Sequence, residues 1–340
     1  MQAGLCGTMS QLLRQQLVLP SLVNAVRCIA TSADVIIRNK LSLPATSATN
    51  FAEYVIGGAR GRENKTAIVC SDSGRLVSFG ALKDAAFRWG GYLLTKGLER
   101  GSVVAVLSPN TVDYPVVVLG TISVGCVFSG INPTYSPTEV AHQLKDSGAK
   151  MVVVFGPLLE VAKKAMAINK QDLPMVAIGP SDGLPNVADI VQDATINFAD
   201  PAKLTGDERM ALVFSSGTTG KPKGVSIHHS AGIANLDMLS HPSYFVGGLS
   251  TADSPCFALA LPMYHLSGFL VISSLGILHG VKLVNITKFN PETYIETLIE
   301  NKVNILHLIS YLMNFVLKHP KFTRQNFGHV DAAIAGAVLN

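Results

Sequence analysis

Residues 210–227 read MALVFSSGTTGKPKGVSI. The continuous apolar run Met210–Phe214 is typical of a strand buried on both faces of a parallel sheet. The ten residues after it contain three glycines, two serines, two threonines and two lysines. Glycines let a backbone approach a ligand closely, N–H groups and hydroxyls donate hydrogen bonds to an oxyanion, and lysines add positive charge. A strand that leads into such a loop predicts a binding site for a polyphosphate.

The loop differs from a Walker A loop. If Gly220 and Lys221 took the place of the Gly-Lys pair of that motif, glycine would be needed at position 215 and serine or threonine at position 222. The chain has Ser215 and Pro222 there. Composition alone also fits a flexible hairpin with solvated lysines, and this alternative stays open. The position directly after an apolar run favours the phosphate interpretation, because open α/β sheets bind ligands at the carboxyl ends of their strands.

Short apolar runs alternate with segments of helical spacing along the rest of the chain. This alternation predicts an α/β fold with a mostly parallel sheet covered by helices on both faces. The predicted strands are Ala67–Cys70, Val103–Leu107, Met151–Phe155, Met175–Ile178, Met210–Phe214, Phe257–Leu261, Val281–Val284, Asn304–Leu308 and Ala332–Ala335. The predicted helices are Phe79–Thr95, Thr111–Val124, Thr138–Ser147, Leu158–Ala167 and Pro291–Asn301.

The composition excludes several classes of protein. Hydrophobic residues make up 48% of the 340 residues and charged residues only 15%, against a usual ~25% charged, so a disordered or coiled-coil protein is excluded. The formal net charge of +4 is too small to indicate binding to nucleic acid. The five cysteines are scattered and form no CxxC pair, so neither a disulfide framework nor a metal site is expected.

Residues 1–33 differ in composition from the rest of the chain. They contain Arg14 and Arg27, several hydroxylated residues and no acidic residue. This composition is typical of an organelle transit peptide, and the alternative is an N-terminus that carries no address. We therefore expect an N-terminal extension over residues 1–45 and a mitochondrial location, with the peroxisome and the cytoplasm as alternatives.

No charged residue occurs between Ser254 and Val281. The stretch is long enough for a membrane span, but Pro262, His265, His279 and three glycines interrupt it. Two shorter runs, Phe257–Leu261 and Gly268–Leu278, fit a buried strand and a buried helix better. We expect no transmembrane span, and contact with a membrane surface stays open.

Three segments together resemble the adenylate-forming superfamily, which includes acyl-CoA synthetases, 4-coumarate–CoA ligases and luciferases. SSGTTGKPKG (Ser215–Gly224) is similar to the signature loop of that family, and LPMYHLSG (Leu261–Gly268) is similar to a segment that lines its acyl pocket. Val103–Val154 is also family-like. The resemblance covers the chain from about residue 50 onward. It implies stacked, mostly parallel sheets with helices on their faces, as in an incomplete N-terminal AMP-binding domain over residues 46–340, without the C-terminal domain of the family.

The resemblance implies a two-step reaction with ATP, Mg²⁺ and coenzyme A. A fatty or aryl carboxylate attacks the α-phosphorus of ATP to form an acyl-adenylate, and the thiol of coenzyme A then displaces AMP. The β- and γ-phosphates would be held by Ser215, Ser216, Gly217, Thr218, Thr219, Gly220 and Lys221. Lys223 either assists them or is simply solvated.

The family carries an aromatic residue or histidine near the acyl carboxylate and the α-phosphate, and His265 is at the matching position. An imidazole that donates a hydrogen bond there would stabilise the transition state. The alternative for His265 is a core histidine whose hydrogen bonds are satisfied inside the protein. His228 and His229 follow the phosphate loop at a helix start, and we expect a structural role for both.

Gly336 and Ala337 are similar to part of a family turn that lies near the adenine. The later motifs of the family, including a Tyr-Gly-x-Thr-Glu segment, are absent from the 340 residues. We therefore expect weak or no activity from this chain alone. The alternative to an enzyme is a fragment that binds a nucleotide or a protein partner without catalysis, and the choice of acyl acceptor stays open.

Overall fold

The structure is a computed structural model that describes residues 46–181, 183–215, 222–241 and 255–336. Every element below lies in one unit, Ala45–Asn340. The N-terminal extension and two groups of predicted ligands lie outside the described residues. These ligands are Ser216, Gly217, Thr218, Thr219, Gly220 and Lys221 in the phosphate loop, and Ala337.

The described residues form strands and helices in regular alternation. The strands are β1 (Thr66–Cys70), β2 (Leu76–Ser78), β3 (Val103–Leu107), β4 (Val127–Ile131), β5 (Ala149–Phe155), β6 (Met175–Ile178), β7 (Arg209–Ser215), β8 (Lys223–His228), β9 (Cys256–Leu259), β10 (Lys282–Asn285), β11 (Ile305–Leu308) and β12 (Ala332–Ala335). The α-helices are α1 (Phe51–Gly57), α2 (Phe79–Thr95), α3 (Tyr114–Ser123), α4 (Pro137–Ser147), α5 (Leu159–Asn169), α6 (Val187–Ile190), α7 (His229–Ser240), α8 (Leu275–Leu278), α9 (Pro291–Glu300), α10 (Ser310–Lys318) and α11 (Arg324–Phe327). A π-helix, Ser267–Ser274, leads directly into α8.

The strands form two six-stranded sheets. The first sheet has the order β12-β11-β9-β10-β1-β2, and the second has the order β6-β5-β3-β4-β7-β8. All neighbours are parallel except β1 with β2 and β7 with β8, which are antiparallel. The α/β class and the mostly parallel sheets predicted from the sequence are therefore confirmed.

Strand β3 illustrates why the central strands are uniformly apolar. Val104 and Val106 pack into a large core cluster that also contains side chains from α2, α3 and the first sheet. Ala105 and Leu107 point to the opposite face, into a second cluster with α4 and α5. Because both faces of the strand are buried, apolar residues replace the usual alternation with polar ones.

All the predicted strands are present, with bounds that differ by at most two residues. Strands β2, β4 and β8 were not predicted from the sequence. Strand β4 reads VFSGI, in which a serine and a glycine interrupt the apolar run. Strand β8 lies at a sheet edge and most of its residues are exposed, so it carries no apolar pattern. The predicted helix Gly268–Leu278 consists of the π-helix followed by α8. Among the described residues, no helix is both long and apolar enough to cross a bilayer.

Candidate active site at the carboxyl ends of the two sheets

The predicted phosphate loop connects β7 to β8. These strands pair antiparallel, with Ser215 opposite Lys223 and Phe214 opposite Gly224. The backbone ladder therefore holds the two ends of the loop side by side as a hairpin. Ser215 and Lys223 are both exposed, so a ligand can reach their side chains. A Cβ at Gly224 would lie 3.1 Å from the Phe214 ring, a tight contact that a small shift of the ring would have to relieve.

A close contact brings this edge of the second sheet to the first sheet. Strand β4 runs parallel to β7, with Phe128 opposite Ala211, so both strands end at the same edge. Near the end of β4, a Cβ at Gly130 would lie 2.7 Å from Cα of Tyr264. Tyr264 belongs to the loop that follows β9, residues 260–266, which we call the β9 loop. The carboxyl edge of the second sheet, where the hairpin loop begins, therefore contacts the β9 loop of the first sheet through Gly130.

The backbone of the β9 loop is held by Asn110, which the sequence analysis did not single out. Asn110 Nδ2 donates to the carbonyl oxygens of Leu259 at 3.1 Å and Leu261 at 3.0 Å. Its Oδ1 accepts from the N–H of Met263 at 2.8 Å. Asn110 follows β3, in the second sheet, whereas the loop follows β9, in the first. Its position just after a buried strand was the available signal.

His265 is exposed, so the alternative of a buried core histidine is wrong. Its Nδ1 lies 3.0 Å from Oγ of Ser267, which orients the ring. Its backbone N–H donates to the carbonyl oxygen of Pro262 at 3.1 Å, and its own carbonyl accepts from the N–H of Phe269 at 3.0 Å. The backbone of His265 is therefore fixed at the turn into the π-helix, and its imidazole is free to meet a ligand at this edge.

Gly268 allows the π-helix to begin directly against the β9 loop. A Cβ there would lie 2.2 Å from the carbonyl oxygen of Pro262 and 2.6 Å from that of Leu261. Backbone atoms cannot yield as a side chain can, so any larger residue would displace the loop. Departures from α-helical geometry of this kind are frequent at functional sites.

Gly336 lies at the carboxyl end of β12, two strands from β9 in the first sheet. It is exposed, and its N–H donates to the carbonyl oxygen of Leu308 at 3.1 Å. No other atom lies within 4 Å of a Cβ built there, so a ligand has room beside it. The structure thus puts His265 and Gly336 on the same edge of one sheet, and Ser215 and Lys223 on an edge of the other.

Burial sets the properties of two further groups, His229 at the end of β8 that is far from the loop and Tyr264 in the β9 loop. His229 is completely buried, and its Nδ1 accepts from the N–H of Phe51 at 3.0 Å. Burial lowers the pKa of His229 to about 4. Helix α7 begins at His229 with His228 as its N-cap residue, which agrees with the expected structural role. Burial also raises the pKa of the Tyr264 hydroxyl above its ordinary value.

The described residues provide no protein cage for a divalent cation. Within them, no three His, Cys, Asp or Glu side chains group together in a way that could hold a metal ion. A Mg²⁺ ion commonly binds through substrate phosphates with few protein ligands. At the described ends of the hairpin, the Ser215 hydroxyl and the Lys223 ammonium group can meet such phosphates directly.

Known proteins share this architecture. ATP-bound MatB from Rhodopseudomonas palustris aligns with a TM-score of 0.73 at 24% identity, over 85% of this chain and 55% of that chain. The luciferase-like enzyme of the mealworm Zophobas morio aligns with a TM-score of 0.77 at 18% identity, over 90% of this chain and 70% of that chain. These likenesses establish the fold alone.

The amino-acid sequence identifies the family of the chain. The model of the AMP-binding enzyme family matches residues 57–340, so the chain belongs to that family. 4-Coumarate–CoA ligase-like 9 of Oryza sativa subsp. japonica is 30% identical over 79% of this chain and 48% of the relative. 4-Coumarate–CoA ligase-like 1 of Arabidopsis thaliana is 27% identical over 82% of this chain and 50% of the relative. The chain thus spans about half the length of these curated relatives.

Proposed function

We propose that this chain carries the ATP-binding and acid-binding part of an AMP-forming acid–thiol ligase. The substrates are ATP, a carboxylic acid and coenzyme A. The observation that carries the proposal is the hairpin with Ser215 and Lys223 at its paired ends, next to the edge that bears His265. Family membership supports adenylate-forming ligase chemistry.

In the first step, a carboxylate oxygen of the acid attacks the α-phosphorus of ATP. A bond from this oxygen to phosphorus forms, the bond from the α-phosphorus to the bridging oxygen breaks, and pyrophosphate leaves. The hairpin holds the β- and γ-phosphates through hydroxyls, backbone N–H groups and lysine charge. Ser215 and Lys223 contribute from the two ends of the hairpin, and the loop residues Ser216–Lys221 contribute from between them.

His265 donates a hydrogen bond to the oxygens that gain charge in this step. Its Nδ1 faces Ser267, so Nε2 is the nitrogen available to the substrate. A donor placed where charge develops lowers the barrier because it needs no reorganisation during the reaction. In the second step, the sulfur of coenzyme A attacks the acyl carbon. The bond from that carbon to the AMP oxygen breaks, AMP leaves, and the thiol proton passes to solvent.

An aromatic acid is the best-supported substrate class. The curated relatives are 4-coumarate–CoA ligases and similar proteins, and structures of the same fold include a benzoate CoA ligase and an anthranilate CoA ligase. Fatty acids are the second class to test, since the superfamily that the sequence resembles includes acyl-CoA synthetases.

The test separates nucleotide binding from chemistry. Calorimetric titration of the chain with ATP and Mg²⁺ measures binding, and exchange of labelled pyrophosphate into ATP measures adenylation with 4-coumarate, benzoate, anthranilate or octanoate. Thioester formation with coenzyme A measures the second step. Saturable ATP binding with acid-dependent exchange supports the proposal, and His265→Ala should then reduce exchange while ATP binding persists. Binding without exchange favours a non-catalytic nucleotide-binding fragment, and no binding contradicts both.

We further propose that residues 1–45 direct the protein to mitochondria. The two arginines, the hydroxylated residues and the absence of acidic residues before Asp34 support this address. A fluorescent reporter that carries residues 1–45 should accumulate in mitochondria. Retention of the reporter in the cytoplasm would contradict the proposal.

A further inference from the structure

Asn110 makes three hydrogen bonds to one loop from the other sheet. The two carbonyl groups that accept from Nδ2 and the N–H that donates to Oδ1 belong to alternate residues, Leu259, Leu261 and Met263. Only 5% of the Asn110 surface is exposed. All three bonds are shielded from water. The carbonyl oxygen of Leu259 also accepts from the N–H of Ile286 at 3.3 Å, but loss of the amide would take away the buried partner of the Leu261 carbonyl and of the Met263 N–H, which costs far more than an exposed hydrogen bond.

These bonds matter because the β9 loop has left the sheet ladder. Strand β9 ends at Leu259, and the π-helix begins at Ser267. Between these residues the backbone bends around Pro262 to reach His265. Asn110 therefore takes the place of ladder partners for Leu261 and Met263, in the segment that immediately precedes His265.

The bonds also couple the two halves of the candidate active site. Asn110 is attached to β3, which pairs directly with β4, and β4 pairs with β7 of the hairpin. A side chain rooted in the hairpin's sheet thus sets the position of the loop that carries the imidazole. The contact of Gly130 with Tyr264 supports the same arrangement from the neighbouring strand.

We propose that Asn110 is a positioning residue that places His265 for acyl-adenylate formation. This inference rests on the function proposed above. Asn110 itself does not contact the reacting atoms; it acts through the backbone of the β9 loop. Displacement of a catalytic group by about 1 Å can reduce a rate by ~100-fold, so a brace of this kind controls turnover more than nucleotide affinity.

The experiment compares Asn110→Ala with a matched control. Asn50→Ala removes another buried asparagine, which is 2% exposed and donates to the distant carbonyl oxygens of Ser123 and Ala202. Both variants should lose stability, because both leave buried backbone groups unpaired. Only Asn110→Ala should increase hydrogen–deuterium exchange in residues 259–265 and lower kcat for pyrophosphate exchange, by about tenfold to 100-fold. The KM for ATP should stay within about twofold of that of the unmodified chain.

A double-mutant cycle with His265→Ala tests whether Asn110 acts through the imidazole. If it does, Asn110→Ala should reduce kcat strongly in the unmodified chain and by less than about twofold when His265 is already alanine. Equal reductions in both backgrounds, or an unchanged kcat in folded Asn110→Ala, overturn the inference. If the unmodified chain shows no exchange, catalysis by this chain alone is contradicted. The comparison of deuterium exchange over residues 259–265 then still tests whether Asn110 holds the loop, and unchanged deuterium exchange in Asn110→Ala overturns the inference. If Asn50→Ala also increases deuterium exchange over residues 259–265, the change seen in Asn110→Ala is explained by general destabilisation and the inference is overturned.

Discussion

The hairpin between β7 and β8 and the β9 loop reach the same part of the molecule by different means. The hairpin is closed by its own strand pairing, and its end residues Ser215 and Lys223 are exposed. The β9 loop lies outside the strand pairing and is held by other contacts. Asn110 and Gly130 contact it from the second sheet, more than 100 positions away in sequence, and Gly268 packs closely against it from the start of the π-helix. Local sequence chemistry therefore builds the proposed phosphate site, whereas tertiary contacts build the proposed acid site.

Gly268→Ala should have the largest effect on stability and activity, because the added methyl group would clash with the backbone of the β9 loop. The added Cβ would lie 2.2 Å from a backbone oxygen, so the loop must move. We expect a loss of about 3 kcal/mol in the free energy of unfolding and a fall in adenylation of at least about tenfold. Chemical denaturation and pyrophosphate exchange measure the two effects.

Gly57→Ala is the matched control, because nothing lies within 4 Å of a Cβ there and the residue is the last of helix α1. Alanine favours a helix over glycine by up to about 1 kcal/mol, so this variant should be neutral or slightly more stable. Equal stability of Gly268→Ala and the unmodified chain would show that the β9 loop is not tightly packed.

The pH dependence of stability should distinguish two buried histidines, one directly after a strand of the second sheet and one in a strand of the first sheet. His229 follows the second strand of the hairpin, and His307 lies in β11, edge-on against Phe257 with a centroid distance of 4.8 Å. Burial lowers the pKa of each to about 4, from an ordinary value of 6.5. In the unfolded chain each histidine binds a proton below about pH 6.5, whereas in the folded chain the same histidine stays neutral until the pH falls to about 4. Stability is therefore fully present above pH 6.5 and falls as the pH drops through this window, by about 2 kcal/mol per histidine at pH 5.

Replacement of each histidine separates the two contributions. Within the described residues, neither ring nitrogen of His307 has a hydrogen-bond partner, so His307→Phe should raise stability at pH 5 and reduce the pH slope. His229 accepts a hydrogen bond from Phe51, so His229→Phe should reduce the slope but lower stability at neutral pH. Urea titrations at pH 5 and pH 7.5 measure both slopes. A slope that neither replacement changes would contradict this assignment.

Lys223→Ala should weaken ATP binding with little effect on stability, because the lysine is exposed at the end of the hairpin. Loss of one charge-assisted contact should reduce the affinity by about tenfold, and the loss should shrink in high salt. Lys150→Ala is the control. Lys150 is an exposed lysine of the same sheet, but it lies at the amino end of β5, on the edge opposite to the hairpin loop. Equal effects of both replacements would indicate a general charge effect and leave Lys223 as a solvated side chain.

Ser267→Ala should have the smallest effect. It removes the oxygen that lies 3.0 Å from Nδ1 of His265, in an exposed position. We expect a change in unfolding free energy under about 0.5 kcal/mol and a two- to threefold fall in adenylation at roughly unchanged ATP affinity. Ser71→Ala, which removes an exposed bond to Asp72, is the control. A rate that stays the same would show that the imidazole needs no orientation by Ser267.

The elements that the sequence analysis identified were those whose signal is local. Continuous apolar runs revealed β3, β5 and β6, and helical spacing revealed the bounds of α2. Strand β4 was missed because its serine and glycine face buried surroundings that no local pattern reports. Gly130 in that strand proved to be the point where the two sheets meet, so the missed strand hid part of the site as well.

The residue pattern by itself determined the α/β class and predicted the phosphate loop, because backbone propensity, burial periodicity and the donor groups of a loop are properties of short segments. The candidate role of His265 came from the resemblance of its segment to a known family. Only the tertiary structure decided the strand order of the two sheets, that their carboxyl edges meet at Gly130, and that Asn110 holds the β9 loop. These features join residues more than 100 positions apart. Their physical basis is close packing and the pairing of buried backbone groups, which depend on neighbours that only folding brings together.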